Sequence, residues 1–154
     1  MVATTGWDYI VAGGGLTGCV VAHRLKQYQS WSCILVIEAS PNIDIPSRRA
    51  LGGGSVMNGS GITEKALEEY GVHKLPGIDF NTGTNLGFGG LNENRSNGTR
   101  QIAPLAYFLE DVTVLTKTLV GSILMDKDLI AIGVRLGDGT EIRSNEVIAT
   151  AGAY

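Results

Sequence analysis

Three glycines stand at the spacing G-x-G-x-x-G in the turn Gly13-Gly14-Gly15-Leu16-Thr17-Gly18. Each does something a side chain would prevent. Gly13 permits a tight turn, Gly15 lets the backbone approach a pyrophosphate, and Gly18 lets a following helix pack closely on the preceding strand. The helix that begins here offers free N–H groups and a partial positive charge to an anion. Glu38 follows Gly15 by 23 residues. A carboxylate at that point accepts hydrogen bonds from ribose hydroxyls and disfavours a 2′-phosphate. The chemistry implied is dinucleotide binding, with NADP disfavoured.

A glycine triplet is a weak signal until the surrounding elements agree with it. Trp7 to Ala12 reads as a buried strand that stops at glycine. Gly18 to Tyr28 reads as a helix with Val20, Val21, Leu25 and Tyr28 facing inward and Arg24, Lys26 and Gln27 outward. Cys33 to Ala39 reads as a second apolar strand. Strand, turn, helix and strand make a βαβ unit with parallel strands and a right-handed crossover. Ser40 to Arg49 is expected to be a loop, and Thr63 to Tyr70 a short helix ended by Gly71. Val72 to Arg100 is expected to be loop, and Ala103 to Glu110 a short helix with Pro104 in its first turn.

The last third changes character. Val112 to Thr116, Leu119 to Asp126, Leu129 to Leu136 and Glu141 to Ala149 are strand-like. Asp126-Lys127-Asp128 and Gly137-Asp138-Gly139 mark turns between them. An antiparallel meander after one βαβ unit differs from a nicotinamide domain, which continues with further βα units, and favours FAD over NAD. The expected fold class is α/β: a Rossmann-like βαβ FAD-binding domain with an antiparallel β-meander, one domain over residues 1–154.

Bulk properties narrow the partners. Many of the 22 glycines fall in clusters, which suits backbone approaching a ligand. A net charge of -3 and the lack of a basic stretch with interleaved aromatics argue against nucleic acid. No segment is long and apolar enough to cross a bilayer, so no membrane partner is expected. Residues 1–6 lack a basic start and an apolar run, and the expectation is a cytoplasmic protein. N-x-S/T sequons start at Asn58, Asn94 and Asn97 and carry little weight in that setting. Cys19 and Cys33 lack metal-ligand spacing and read as small buried hydrophobes; no metal is expected.

The chain resembles the glucose–methanol–choline (GMC) oxidoreductases, which are FAD enzymes. Trp7 through Ala22 is similar to that family's amino-terminal signature, and Glu38-Ala39 to its ribose-binding end. Arg49-Ala50-Leu51-Gly52-Gly53-Gly54-Ser55-Val56-Met57-Asn58-Gly59 looks like its second glycine motif, the most specific of the matches. Asn97 to Arg100 with Ala106 to Leu109 resembles the segment before the meander. Val112 to Leu124 and Glu146 to Ala153 resemble the meander strands and the small-residue turn that closes them, with Ala151 and Gly152 in that turn. The resemblance implies that Gly13, Gly15 and Gly18, with Leu16 and Thr17 between them, face the pyrophosphate. It places Glu38 and Ala39 at the adenosine ribose. Arg49, Gly53, Gly54, Ser55 and Asn58 would line the flavin side, where a glycine run lets N–H groups converge on polar ligand atoms. Val120 would contact adenine through its backbone, or be a plain strand residue.

The departures matter as much. Family members carry long excursions where this chain has short connections after Ala39 and after Gly61. Their substrate domain, with the catalytic His and its His or Asn partner, has no counterpart here. No catalytic base is therefore assigned. His23 is expected to be solvated mid-helix, and His73 to be a surface residue after Gly71. Asp79, Arg100 and Tyr107 receive no role. The first functional expectation is an FAD-dependent oxidoreductase acting on the CH–OH group of an alcohol or similar small organic donor. A second copy of the chain or a second polypeptide would complete its site. The alternatives are a repurposed non-redox domain (isomerase, lyase or cyclase on a small molecule) and a non-catalytic FAD-binding remnant.

Overall fold

The computed structural model describes residues 2–40, 69–73, 95–97 and 99–152. The chain forms two compact units, Met1–Met57 with Gln101–Tyr154, and Asn58–Arg100. The first unit holds strands β1 (Trp7–Ala12), β2 (Ile34–Ile37), β5 (Thr113–Leu115), β6 (Val120–Met125), β7 (Ala131–Leu136) and β8 (Glu141–Ala149). It also holds helices α1 (Leu16–Tyr28) and α2 (Ala103–Ala106). In the second unit, β3 (Arg95–Ser96) and β4 (Thr99–Arg100) form an antiparallel hairpin. That hairpin falls inside the span expected to be loop. Asn97 sits at φ 50°, and Asn-Gly is a strong signal for a two-residue hairpin turn. Gly71 takes φ +75°, where the sequence places a helix stop.

The six strands of the first unit form one sheet in the order β5-β2-β1-β8-β7-β6. β1 pairs in parallel with both β2 and β8, and β2 pairs in parallel with β5. β7 runs antiparallel to β8, and β6 antiparallel to β7. The meander is thus three strands, β6 to β8. The segment expected as its first strand instead extends the parallel sheet as β5. β8 belongs to both parts: Glu141–Arg143 pair with β7, and Ser144–Ala149 lie beside β1. The β7–β8 pairing is close at Gly133, which has φ +147° and no room for a Cβ against the Ile142 carbonyl.

The centre of the sheet, β2 and the second half of β1, is buried on both faces, as parallel strands with covered faces must be. Ile34 and Val36 of β2 point to the helix side, with Val11, Val114 and Ile148. Leu35 and Ile37 alternate to the other side, with Ile10, Leu115 and Val147, against Val134, Leu136 and Ile142. The period of two is why all four residues of β2 are apolar and buried. The helical inner stripe is narrower than the sequence suggested. Gly18, Cys19 and Ala22 are its buried residues, Val21 and Leu25 pack at its margin, and Tyr28 is 79% exposed. Small side chains bring the helix axis close to the sheet, and Tyr28 falls to one side of the Gly18-Ala22-Leu25 line. Cys33 is exposed, contrary to expectation, because it precedes the paired part of β2.

Asp8 ties three strands together at the edge where β1 begins. Its Oδ2 accepts the Cys33 N–H at 2.8 Å, and its Oδ1 accepts the Asn145 side-chain amide at 3.1 Å. These bonds are exposed, so the larger share of stability lies in the core. Leu35→Ala should lower unfolding stability by about 2–5 kcal/mol, read as a shift of the urea midpoint at unchanged slope. A loss below about 1 kcal/mol would contradict the two-faced core described here.

Candidate dinucleotide site

The strand register brings the glycine turn together with two other strand ends. Ala12 lies opposite Ile37 on one side and Ala149 on the other. The next residues of the three strands, Gly13, Glu38 and Thr150, therefore emerge at one edge of the sheet. The chain moves from β1 to one side for β2 and later to the other side for β8. That makes this edge a topological switch point, where open α/β sheets bind ligands.

Each glycine of the turn meets different surroundings. Gly13 has φ +111°, and a Cβ there would stand 2.6 Å from the Thr150 carbonyl oxygen. Its N–H donates to the Ile37 carbonyl at 2.8 Å, tying the turn to the end of β2. Gly18 is buried, and its Cβ would run into the Gly13 carbonyl and lie 3.0 Å from Thr150 Oγ1. Gly18 thus serves helix–strand packing, the role that the glycine spacing also gives it. Gly15 is the opposite case: a Cβ there meets nothing within 4 Å. It is the N-cap of α1, in extended conformation, without a side-chain cap and without an acidic residue in the first helical turn. Leu16 and Thr17 are exposed beside it. The first N–H groups of a helix lack intrahelical partners, so open backbone at this point fits a pyrophosphate.

Glu38 lies against the turn. The residue is 9% exposed, and its Oε2 accepts the Gly14 N–H at 2.7 Å in a buried hydrogen bond. Oε1 accepts the Ser40 N–H at 3.0 Å and the Ser40 hydroxyl. Backbone bonds hold the segment in place: Glu38 N–H to Leu115 at 2.8 Å, Thr118 N–H to Glu38 at 3.0 Å, and Lys117 N–H to Ser40 at 3.1 Å. The β5–β6 connection therefore clamps the acidic segment. Val120 begins β6 two residues beyond the Thr118 bond, and its side chain packs on the core as a strand residue. Ala39 is exposed, as are Ala151 and Gly152, with Gly152 at φ +100°.

Three residues of this edge were not read from the sequence. Thr150 donates its hydroxyl to the Gly13 carbonyl at 2.7 Å and lies 3.2 Å from that of Ala12. Gly14 supplies the N–H to Glu38, and Ser40 its other partners. A serine two residues after a strand-end acid is a local signal for side-chain-to-backbone bonding. Thr150 carries no such local signal, since its partners lie 137 and 138 residues away. Arg49, Gly53, Gly54, Ser55, Asn58 and Asp79 lie outside the described residues.

His23 is not free in solvent. Its Nδ1 lies 3.0 Å from the Phe108 carbonyl, and its ring packs edge-on against Tyr107 at 5.9 Å. The loop after α2 folds down onto α1 there, a contact the helical pattern of α1 alone does not disclose. His73 is exposed. No group of three metal-ligating side chains occurs among the described residues. No described helix is long and apolar enough to cross a membrane.

The parallel sheet with its glycine turn and returning meander defines a Rossmann-like fold of the FAD-binding type. Among solved structures, pyridoxine 4-oxidase from Mesorbium loti superimposes with a TM-score of 0.65 at 15% identity, over 96% of this chain and 50% of that one. L-proline dehydrogenase from P. horikoshii gives 0.54 at 18% identity, over 98% of this chain and 54% of that one. At such identities the likeness speaks to the fold.

Sequence similarity is higher but shorter. GMC-type oxidoreductase acuG of Aspergillus aculeatus is 41% identical over 83 residues, 50% of this chain and 16% of that protein. Pyranose dehydrogenase of Agaricus xanthodermus is 51% identical over 55 residues, 35% of this chain and 9% of that protein. Pyranose dehydrogenase 3 of Leucoagaricus meleagris is 55% identical over 47 residues, 30% of this chain and 8% of that protein. No family model matches the chain. Over these stretches the chain is similar to these oxidoreductases, and the matched stretches span less than a fifth of their length.

The three glycines should respond differently to substitution. Gly13→Ala and Gly18→Ala should each destabilise by about 1–3 kcal/mol or more, since a methyl meets backbone at both. Gly15→Ala should stay within about 0.5 kcal/mol of the wild type, its backbone being extended and its surroundings open. Urea unfolding of the three variants checks the ranking.

Proposed function

We propose that residues 1–154 act as a single FAD-binding unit of a GMC-like oxidoreductase whose donor is the CH–OH group of an alcohol or sugar. One juxtaposition carries the binding part of this reading: open backbone at Gly15 over the α1 N-terminus, with the Glu38 carboxylate held beside it. The first suits a pyrophosphate and the second a ribose. The donor class rests on the relatives, two of which are named pyranose dehydrogenases.

Bound FAD would supply hydride acceptance from the donor carbon. The chain's own contribution is to bind and orient. The α1 N-terminus would neutralise phosphate charge, and Glu38 would accept from ribose hydroxyls. Arg49, Gly53, Gly54, Ser55 and Asn58 are proposed for the flavin side of the cofactor, with Val120 offering its backbone to adenine and Ala151-Gly152 closing the turn beside it. A second copy of the chain or a second polypeptide is proposed to supply the base that takes the donor's hydroxyl proton.

Purified protein should be yellow or take up added FAD, and anaerobic addition of a pyranose or primary alcohol should bleach the flavin bands. Uptake without bleaching by any donor would transfer the reading to a non-redox domain or a binding remnant. Colourless protein that takes up no FAD would overturn it. Gly15→Val should weaken FAD binding by roughly tenfold or more while the protein stays folded, because its side chain enters the phosphate path.

A further inference from the structure

We propose that Ser40 governs how Glu38 reads a ribose, so that one hydroxyl of the diol is bound strongly and the other is not. The inference rests on the nucleotide-binding reading above and deepens it. An ionised carboxylate offers about four acceptor positions, two on each oxygen. Three are filled by the chain itself. Oε1 accepts both the N–H and the hydroxyl of Ser40, and Oε2 accepts the N–H of Gly14. Among the described residues nothing fills the fourth, on Oε2, the oxygen already bonded to the dinucleotide turn.

A second ribose hydroxyl could reach Oε1 only by displacing the Ser40 hydroxyl. Ser40 is 4% exposed, so its hydroxyl would lose its partner in a buried place. An unpaired buried donor costs more than a typical hydrogen bond returns. Nor can the segment swing aside cheaply. The Glu38 N–H, the Glu38 carbonyl and the Ser40 carbonyl are all bonded to the β5–β6 region, through Leu115, Thr118 and Lys117. Ser40 is thus a positioning and specificity residue that acts through Glu38. Removing its hydroxyl opens the second acceptor position without touching Glu38.

Calorimetric titration of the full chain with ADP, 2′-deoxy-ADP and 3′-deoxy-ADP tests this. In the wild type, one deoxy analogue should bind about tenfold or more weakly than ADP and the other within about threefold, since a bond to a charged acceptor is lost in only one case. In Ser40→Ala both analogues should fall about tenfold below ADP, and Ser40→Thr should restore the unequal pattern. Equal losses in the wild type, or unequal losses that persist in Ser40→Ala, overturn the inference and leave nucleotide binding intact. Wild type that does not bind ADP overturns the nucleotide reading and this inference with it. If Ser40→Ala does not fold, Ser40→Cys takes its place: its thiol is a weak donor, so the two analogues should fall more nearly equally, and an undiminished inequality overturns the inference.

Discussion

Helix α1 leaves strand β1 through a gap with no space for two side chains. At Gly13 a Cβ would strike the Thr150 carbonyl, and at Gly18 it would strike the Gly13 carbonyl. The left-handed backbone at Gly13 turns the chain sharply enough for α1 to lie back over the sheet. Bare backbone at Gly18 lets the helix sit close, so that Cys19 and Ala22 fill the interface without larger side chains. Close packing also delivers Thr150 to the turn, where its hydroxyl bonds the Gly13 carbonyl. Alignment of the α1 N-terminus with the ends of β1, β2 and β8 follows from this contact.

The remainder of the first unit supports that alignment from both sides of the sheet. Alternation along β2 sends Ile34 and Val36 to the helices and Leu35 and Ile37 to the meander side. Each such side chain contributes roughly 1.5–3 kcal/mol on burial, well above an exposed hydrogen bond such as those of Asp8. β8 joins the two halves, since its first three residues pair with β7 and its later ones with β1. The connection from β5 to β6 passes residues 38–40 and bonds to them, which fixes Glu38 where the turn can donate to it. The proposed ribose site and the core packing thus share one set of backbone bonds.

Much of this was legible in the residues, and the illegible parts have a common cause. The glycine spacing, the apolar runs of β1 and β2 and the turn signals of the meander are local, and each corresponds to an element of the fold. β5 was expected in the meander because Thr113 to Leu115 looks like any short strand; only its pairing with β2 assigns it to the parallel sheet. His23 was expected in solvent because its helical neighbours are charged, whereas the chain near Phe108 returns to cover it. The Asn-Gly signal of the hairpin at Asn97 is masked by the Gly- and Asn-rich stretch around it. Thr150 and Ser40 are common polar residues, and their partners in the fold are what distinguish them.

Residue types and spacing by themselves determined the βαβ unit, the glycine turn, the acid that follows it and the presence of a meander. Those features depend on backbone freedom and hydrophobic period, which are properties of short segments. Tertiary structure alone decided which glycine is open to a ligand and which is closed by packing, because that depends on where Thr150 arrives from the far end of the chain. It also decided how many acceptor positions Glu38 retains, because Gly14, Ser40 and the carboxylate meet only once β1 and β2 lie in register.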